Sequence, residues 1–257
     1  MKVGLQVSSL KMFLQTPQGV LETFKKIKAI GYNYIQIQWI NDDVPMESIK
    51  ESLDAAGLIC TGAQESFANV FDYTETFIEK NKLWQGKYIC ASLTVPSAKP
   101  ELLEAAERLN TISKKLNEKE LILEIHPLFG SYIKTGGNDT GAMPLDTLWE
   151  HLDGGILLQP DFYHVVSGKA DPVGIIEKYG GRIDEVHFKD FRIPENNPGA
   201  AKVTPVGQGI IPWKEIAESC IKHGVKYCFA EQESWDKDAF ECMKDSWDYL
   251  TGIGLLP

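Results

Sequence analysis

Residues 102–126, LLEAAERLNTISKKLNEKELILEIH, hold one complete repeat of the pattern that decides the fold. Leu102, Leu103, Ala106, Leu109, Ile112 and Leu116 recur at spacings of three and four, so one face of a helix of roughly four turns is apolar. Glu104, Glu107, Lys114 and Lys115 fall on the opposite, polar face. Leu121–Ile125 then breaks into a short apolar run with strand character, and it contains the ionisable Glu124 near its end.

The same alternation extends in both directions. Strand-like runs are expected at Val3–Val7, Tyr34–Ile37, Leu58–Gly62, Tyr88–Leu93, Leu121–Ile125, Gly155–Gln159, Ile183–Phe188 and Tyr227–Ala230. Helical windows lie between them, the first carried by Val20, Leu21, Phe24, Ile27 and Ile30. Gly31, Gly57, Gly180 and Gly224 each close such a window, where a residue tolerating positive φ is favoured. Asp171-Pro172 reads as an N-cap followed by a first-turn proline. Eight such units predict a closed (β/α)8 TIM barrel over residues 1–257, as one domain. No Gly-x-Gly-x-x-Gly follows the first strand, which weighs against a doubly wound open sheet.

Composition agrees and narrows the function. A chain of 257 residues with 43% hydrophobic content can bury a core without covalent staples. Its five cysteines are scattered and none forms Cys-x-x-Cys, so buried thiols in a reducing compartment are expected. A net charge of −10 repels phosphate backbones, so no nucleic-acid partner is expected. No apolar run has the length of a signal peptide or membrane span, which predicts a cytoplasmic protein with no membrane partner. Walker, nucleophile-elbow and haem motifs are missing from the sequence.

The chemistry concentrates where the last four barrel strands stop. They end in Glu124, Asp161, His187 and Glu231, and strand ends on one rim of a barrel converge. Crowded carboxylates repel each other, and a divalent cation relieves that repulsion. Three carboxylates and one imidazole suit Mn²⁺, Mg²⁺, Co²⁺ or Zn²⁺. Two long segments rich in Gly, Pro and Asn, 127–144 and 191–212, leave the same rim, as functional loops do. Gly136-Gly137 in the first could cradle a phosphate, although one glycine pair is a weak signal.

The segments LILEIH, QPDFYH, EVHFKD and FAEQE resemble the sugar isomerase/epimerase superfamily with its xylose isomerase-like TIM barrel. TPVGQG at 204–209, Ile211-Pro-Trp213 and the final helical stretch from Phe240 to Leu250 extend the resemblance across nearly the whole chain. It implies one divalent metal, Mn²⁺ foremost, on Glu124, Asp161, His187 and Glu231, with His164 contacting a sugar or polyol substrate. It also implies α-proton abstraction through an enediolate, with Glu124 and Glu231 taking and returning the proton from opposite faces. His164 and Lys189 would hydrogen-bond the developing oxyanion. The chain departs from the family in carrying Gln36 and Gln38 where many members have a glutamate, and Asp161-Phe-Tyr-His164 in place of Asp-Thr-x-His.

Further substrate contacts are expected from His126, two positions beyond Glu124 and so on the same side of its strand, and from Trp39 and Gln6. Asp190 and Glu233 are weaker candidates. Trp213 is more often a packing residue at such a position. Isomerisation or epimerisation of a free or phosphorylated ketose is the leading activity. Dehydration of a keto-polyol, as in inosose dehydratase-like lyases, starts with the same proton transfer and is the alternative, ahead of a non-catalytic carbohydrate-binding barrel. A multi-zinc barrel endonuclease would need more histidines than the chain offers near the mouth. The resemblance is compatible with a homodimer.

Overall fold

The computed structural model of the chain describes residues 1–134, 141–194 and 201–257. Eight parallel strands form one sheet: β1 Lys2–Gln6, β2 Tyr34–Ile37, β3 Ile59–Ser66, β4 Tyr88–Leu93, β5 Ile122–Pro127, β6 Leu157–Leu158, β7 Glu185–Phe188 and β10 Tyr227–Ala230. Their order is β6-β5-β4-β3-β2-β1-β10-β7. A parallel bridge between Asp161 and His187, with the His187 amide donating to Pro160 O at 2.9 Å, joins the two ends. The barrel therefore closes at two of the residues singled out by sequence.

The helices pack outside, and their buried faces follow the sequence period with small departures. Helix Pro17–Ile30 buries Val20, Phe24 and Ile27, each contributing roughly 1.5–3 kcal/mol when removed from water. Helix Lys99–Asn117 buries Leu102, Ala106, Leu109, Ile112 and Leu116, but Leu103 is 39% exposed and Ala105 takes its place in the core. Gly31, Gly57 and Gly224 adopt positive φ at helix ends, as expected. Gly180 does not: its φ is −53°, and it is small because a Cβ would press on the His223 side chain. Asp171 caps its helix, accepting from the amides of Val173 and Gly174.

Two differences from the sequence reading shape the rim. Strand β3 runs on to Ser66 because it keeps pairing with β4, placing Gln64, Glu65 and Ser66 opposite Cys90, Ala91 and Ser92. The β2–β3 register meanwhile shifts between Ile35 and Gln36 and brings Gly62 opposite Gln36. A side chain at Gly62 would collide with the Tyr88 carbonyl, so the close approach of β4 requires glycine there. In addition, part of segment 191–212 forms an unexpected antiparallel hairpin of β8 Asp190–Arg192 with β9 Lys202–Thr204. Three-residue strands are too short for a period-two signal. Gly136-Gly137 lies outside the described residues.

Candidate active site

Alternate residues on barrel strands face the interior. That parity stacks two polar levels beneath the C-terminal mouth. The deeper level holds Glu124 on β5, Gln159 after β6 and Glu185 on β7. Gln159 Nε2 donates to Glu124 Oε2 and to Glu185 Oε2, both at 3.0 Å. Burial, followed by the charge of Glu185, raises the Glu124 carboxyl well above the usual carboxylate range. Burial likewise pushes Glu185 up to about 7. Two carboxylates sharing one donor in a dry interior cannot both ionise cheaply, so a proton stays on the pair.

Above this lies the level that opens to solvent. Ligand atoms of Asp161, His187 and Glu231 lie within 4.8 Å of one another, and those of His126, Asp161 and His164 do the same. His187 Nδ1 meets Glu231 Oε2 at 2.7 Å, and its Nε2 meets Gln36 Oε1 at 2.7 Å. Gln36 is oriented by donating from Nε2 to Glu185 Oε2 at 3.2 Å and by accepting at Oε1 from Gln6 Nε2 at 2.8 Å. Its oxygen therefore faces His187 Nε2, so both ring nitrogens stand against oxygen acceptors, Gln36 Oε1 on one side and the Glu231 carboxylate on the other. Burial would raise Glu231, but Lys189 and the hydrogen bond from His187 outweigh it and hold the carboxyl well below its ordinary value. Lys189 ion-pairs with Glu233 at 2.7 Å and approaches Glu231 at 3.8 Å. Burial opposes its charge, yet Glu231, Asp161 and Glu233 raise it above the ordinary lysine range. Burial and the neighbouring His187 and His164 push His126 well below the ordinary histidine value, so it is a neutral ring.

His126, Asp161, His164, Lys189, Glu231, Glu233 and Trp39 line a cavity of about 440 Å³. Among the described residues, Asp161 Oδ2, His126 Nδ1 and His164 Nδ1 are buried without a hydrogen-bond partner, as is Glu124 Oε1 below. Unpartnered buried polar atoms cost on the order of 1–3 kcal/mol each, so a cluster of them marks a place built to receive something. The donor set, oxygen-rich with imidazole nitrogen, fits a divalent cation.

The structure thus brings together Asp161, His187 and Glu231 of the four expected ligands. Glu124 sits in the deeper level, outside both clusters and beneath the cavity wall. Gln6 is fully buried, with its Nε2 donating to Gln36 and Gln64, and it supports the site from below without touching the cavity. His126, His164, Lys189 and Trp39 stand where a substrate contact would. Trp39 adopts φ 58°, a left-handed conformation costing roughly 1–2 kcal/mol for a side chain of this size, and is 43% exposed. Trp213 is buried against Phe188 and donates to Asp190. Asp190 is a scaffold residue, accepting from the amides of Phe191, Gly207, Gly209 and Ile211 as well as from Trp213 Nε1. Sequence reasoning passed over Glu185 and left Gln36 without a role. Both are mid-strand polar residues of inward parity, which is the signal that could have found them.

A scan against protein-family models finds no match, and no curated protein matches the chain. Solved structures do. A sugar phosphate isomerase/epimerase from Parabacteroides distasonis superposes with a TM-score of 0.82 at 17% identity, covering 100% of this chain and 95% of that one. A structure of L-ribulose 3-epimerase gives a TM-score of 0.76 at 12% identity, covering 98% and 95%. A probable 3-DHS dehydratase from Bacillus anthracis, involved in petrobactin synthesis, gives 0.75 at 14% identity, covering 98% and 99%. The fold is that of the xylose isomerase-like TIM barrels, and sugar phosphate isomerase/epimerases are among its structural neighbours. No helix among the described residues is long and apolar enough to cross a membrane.

Proposed function

We propose that this chain is a divalent-metal-dependent isomerase or epimerase acting on a sugar or sugar phosphate. The observation that carries the reading is the convergence of Asp161, His187 and Glu231 at the barrel seam, opening into the cavity that His126, His164 and Lys189 line. Asp161, His187 and Glu231 would hold the cation, Mn²⁺ by preference. Glu124 would complete the set from below, since the cation would replace the proton that its buried carboxyl retains for want of a counter-charge. The bound cation would supply Lewis-acid polarisation of the substrate carbonyl and its neighbouring hydroxyl.

The chain's own residues do the rest. Glu231, kept ionised by Lys189 and His187, accepts the α-proton. The Lys189 ammonium stands beside Glu231 to stabilise negative charge developing on the substrate oxygen. His126 and His164, whose Nδ1 atoms lack partners, orient hydroxyl groups in the cavity. The neighbours' names support the class, since an epimerase and a probable dehydratase share this scaffold. Dehydration of a keto-polyol would begin with the same proton transfer, so the products must separate the two activities.

The test is metal content by mass spectrometry after loading with Mn²⁺, beside Asp161→Ala and His187→Ala. About one ion per wild-type chain and none in the variants is expected, followed by turnover on a panel of ketoses and keto-polyols. Equal metal in wild type and variants would sink the reading. Full retention by Glu124→Gln would transfer the fourth position to His126.

A further inference from the structure

The mouth cavity continues sideways. Gln38, Trp39, Gln64 and Glu65 line both it and a second cavity of about 320 Å³, so the two share a wall over β2 and β3. The second cavity reaches Phe77 and Trp84 on helix Thr74–Trp84, and it also carries Asp42 and Lys80. Trp39 stands at the junction, in its left-handed conformation, with Lys11 Nζ 4.5 Å from its ring centroid. An exposed indole held at backbone cost between two cavities points to a ligand that spans both.

We propose that the second cavity is a subsite for the sugar ring adjoining the reacting one, so that the substrate is a disaccharide or an equivalent sugar glycoside. The inference rests on reading the mouth as a sugar site. The mixed wall decides the chemical class. A pyranose presents an apolar C–H face, which an indole accommodates, and a periphery of hydroxyl groups, which amides, carboxylates and ammonium groups bind. Gln38, Glu65, Asp42 and Lys80 offer those groups beside Trp39. A purely apolar aglycone would strip water from the charged members and return no hydrogen bonds.

Calorimetric titration of Mn²⁺-loaded protein tests this with matched probes: monosaccharides, their methyl glycosides, their phenyl glycosides and disaccharides carrying the same ring. Disaccharides are expected to bind at least about tenfold more tightly than the methyl glycosides. Lys80→Trp, which fills the second cavity from the helix side and does not line the mouth, should abolish that advantage and spare the methyl glycosides, with thermal melts confirming folding. Equal affinity for disaccharide and methyl glycoside would overturn the subsite, as would failure of any disaccharide to bind. A preference for phenyl glycosides alone would overturn its assignment to a second sugar. Because metal content is measured separately, a protein that retains no metal yet still favours disaccharides would refute the catalytic reading and leave the subsite standing.

Discussion

Replacing Asp190 tests how the rim of this barrel is built. Its fully buried carboxylate receives five donors: Oδ1 accepts from Phe191 N at 2.8 Å and Ile211 N at 3.3 Å, and Oδ2 accepts from Gly207 N at 3.0 Å, Gly209 N at 2.9 Å and Trp213 Nε1 at 2.8 Å. Four of the donors are backbone amides of Phe191, Gly207, Gly209 and Ile211, and the described residues around them have little regular structure beyond the β8–β9 pair. One charged acceptor therefore substitutes for a ladder of backbone hydrogen bonds. Asp190→Ala orphans all five. At about 1–3 kcal/mol per buried unsatisfied group the simple sum would be excessive, because the segment can shift and readmit water. A net loss of about 3–5 kcal/mol is expected, in the range of other broken buried networks. For a chain of this size that corresponds to a fall in Tm on the order of 6–15 °C. Asp190→Asn discriminates further. Its one remaining oxygen can serve only one side of the cluster, and its NH₂ group would point donors at donors, so the isostere should be nearly as damaging as alanine. Urea and thermal denaturation followed by circular dichroism would measure both, with limited proteolysis reporting on the segment. A loss below about 1 kcal/mol, or an Asn variant as stable as wild type, would refute the claim that one carboxylate organises this rim.

The deeper carboxyl pair sets a pH dependence in the metal-free protein. Glu185 is pushed up to about 7 by burial from an ordinary 4.5, so its cost to folding is absent below about pH 4.5 and complete above about pH 7, on the order of 3 kcal/mol. Glu185→Gln should reduce the slope over that window, the buried Glu124 carboxyl supplying what remains, and an unchanged slope in urea titrations at pH 5 and pH 8 would contradict the account. Gln36→Leu removes the acceptor that fixes His187 while leaving Gln159 on Glu185, so the fold should survive and Mn²⁺ affinity fall about 10- to 100-fold. Wild-type affinity by calorimetry would show that Gln36 does not orient the ring. Gly209→Ala should reproduce much of the Asp190 phenotype, because a Cβ at Gly209 collides with that carboxylate, and a melting temperature equal to wild type would argue against it.

What could be read from the sequence follows from which physical signals are local. The barrel was legible because each β/α unit repeats two periods and ends in its own punctuation, as with Val20, Phe24 and Ile27 before Gly31. The rim position of Asp161, His187 and Glu231 was legible because parity along a strand needs no knowledge of its neighbours. Depth was not. Glu124 and His126 share parity on β5, and only the stagger between strands decides which of the two reaches the cavity and which lies beneath it. Gln36, Gln64, Gln159 and Glu185 likewise read as polar residues in otherwise apolar strands, unremarkable singly. They become a supporting level only when the closed barrel brings four strands to one point, where Gln159 serves two carboxyls and Gln36 joins His187 to Glu185. The same holds for Asp190, whose five donors are spread over residues 191–213 and converge through turns that leave no periodic trace. Residues that reach the cavity therefore announce themselves at strand ends in this fold, whereas residues that position them are mid-strand or in loops, and their places are set by contacts across the barrel. A variant series confined to the rim would miss Gln36 and Glu185, which fix the orientation of His187 and so would set how it meets the proposed cation.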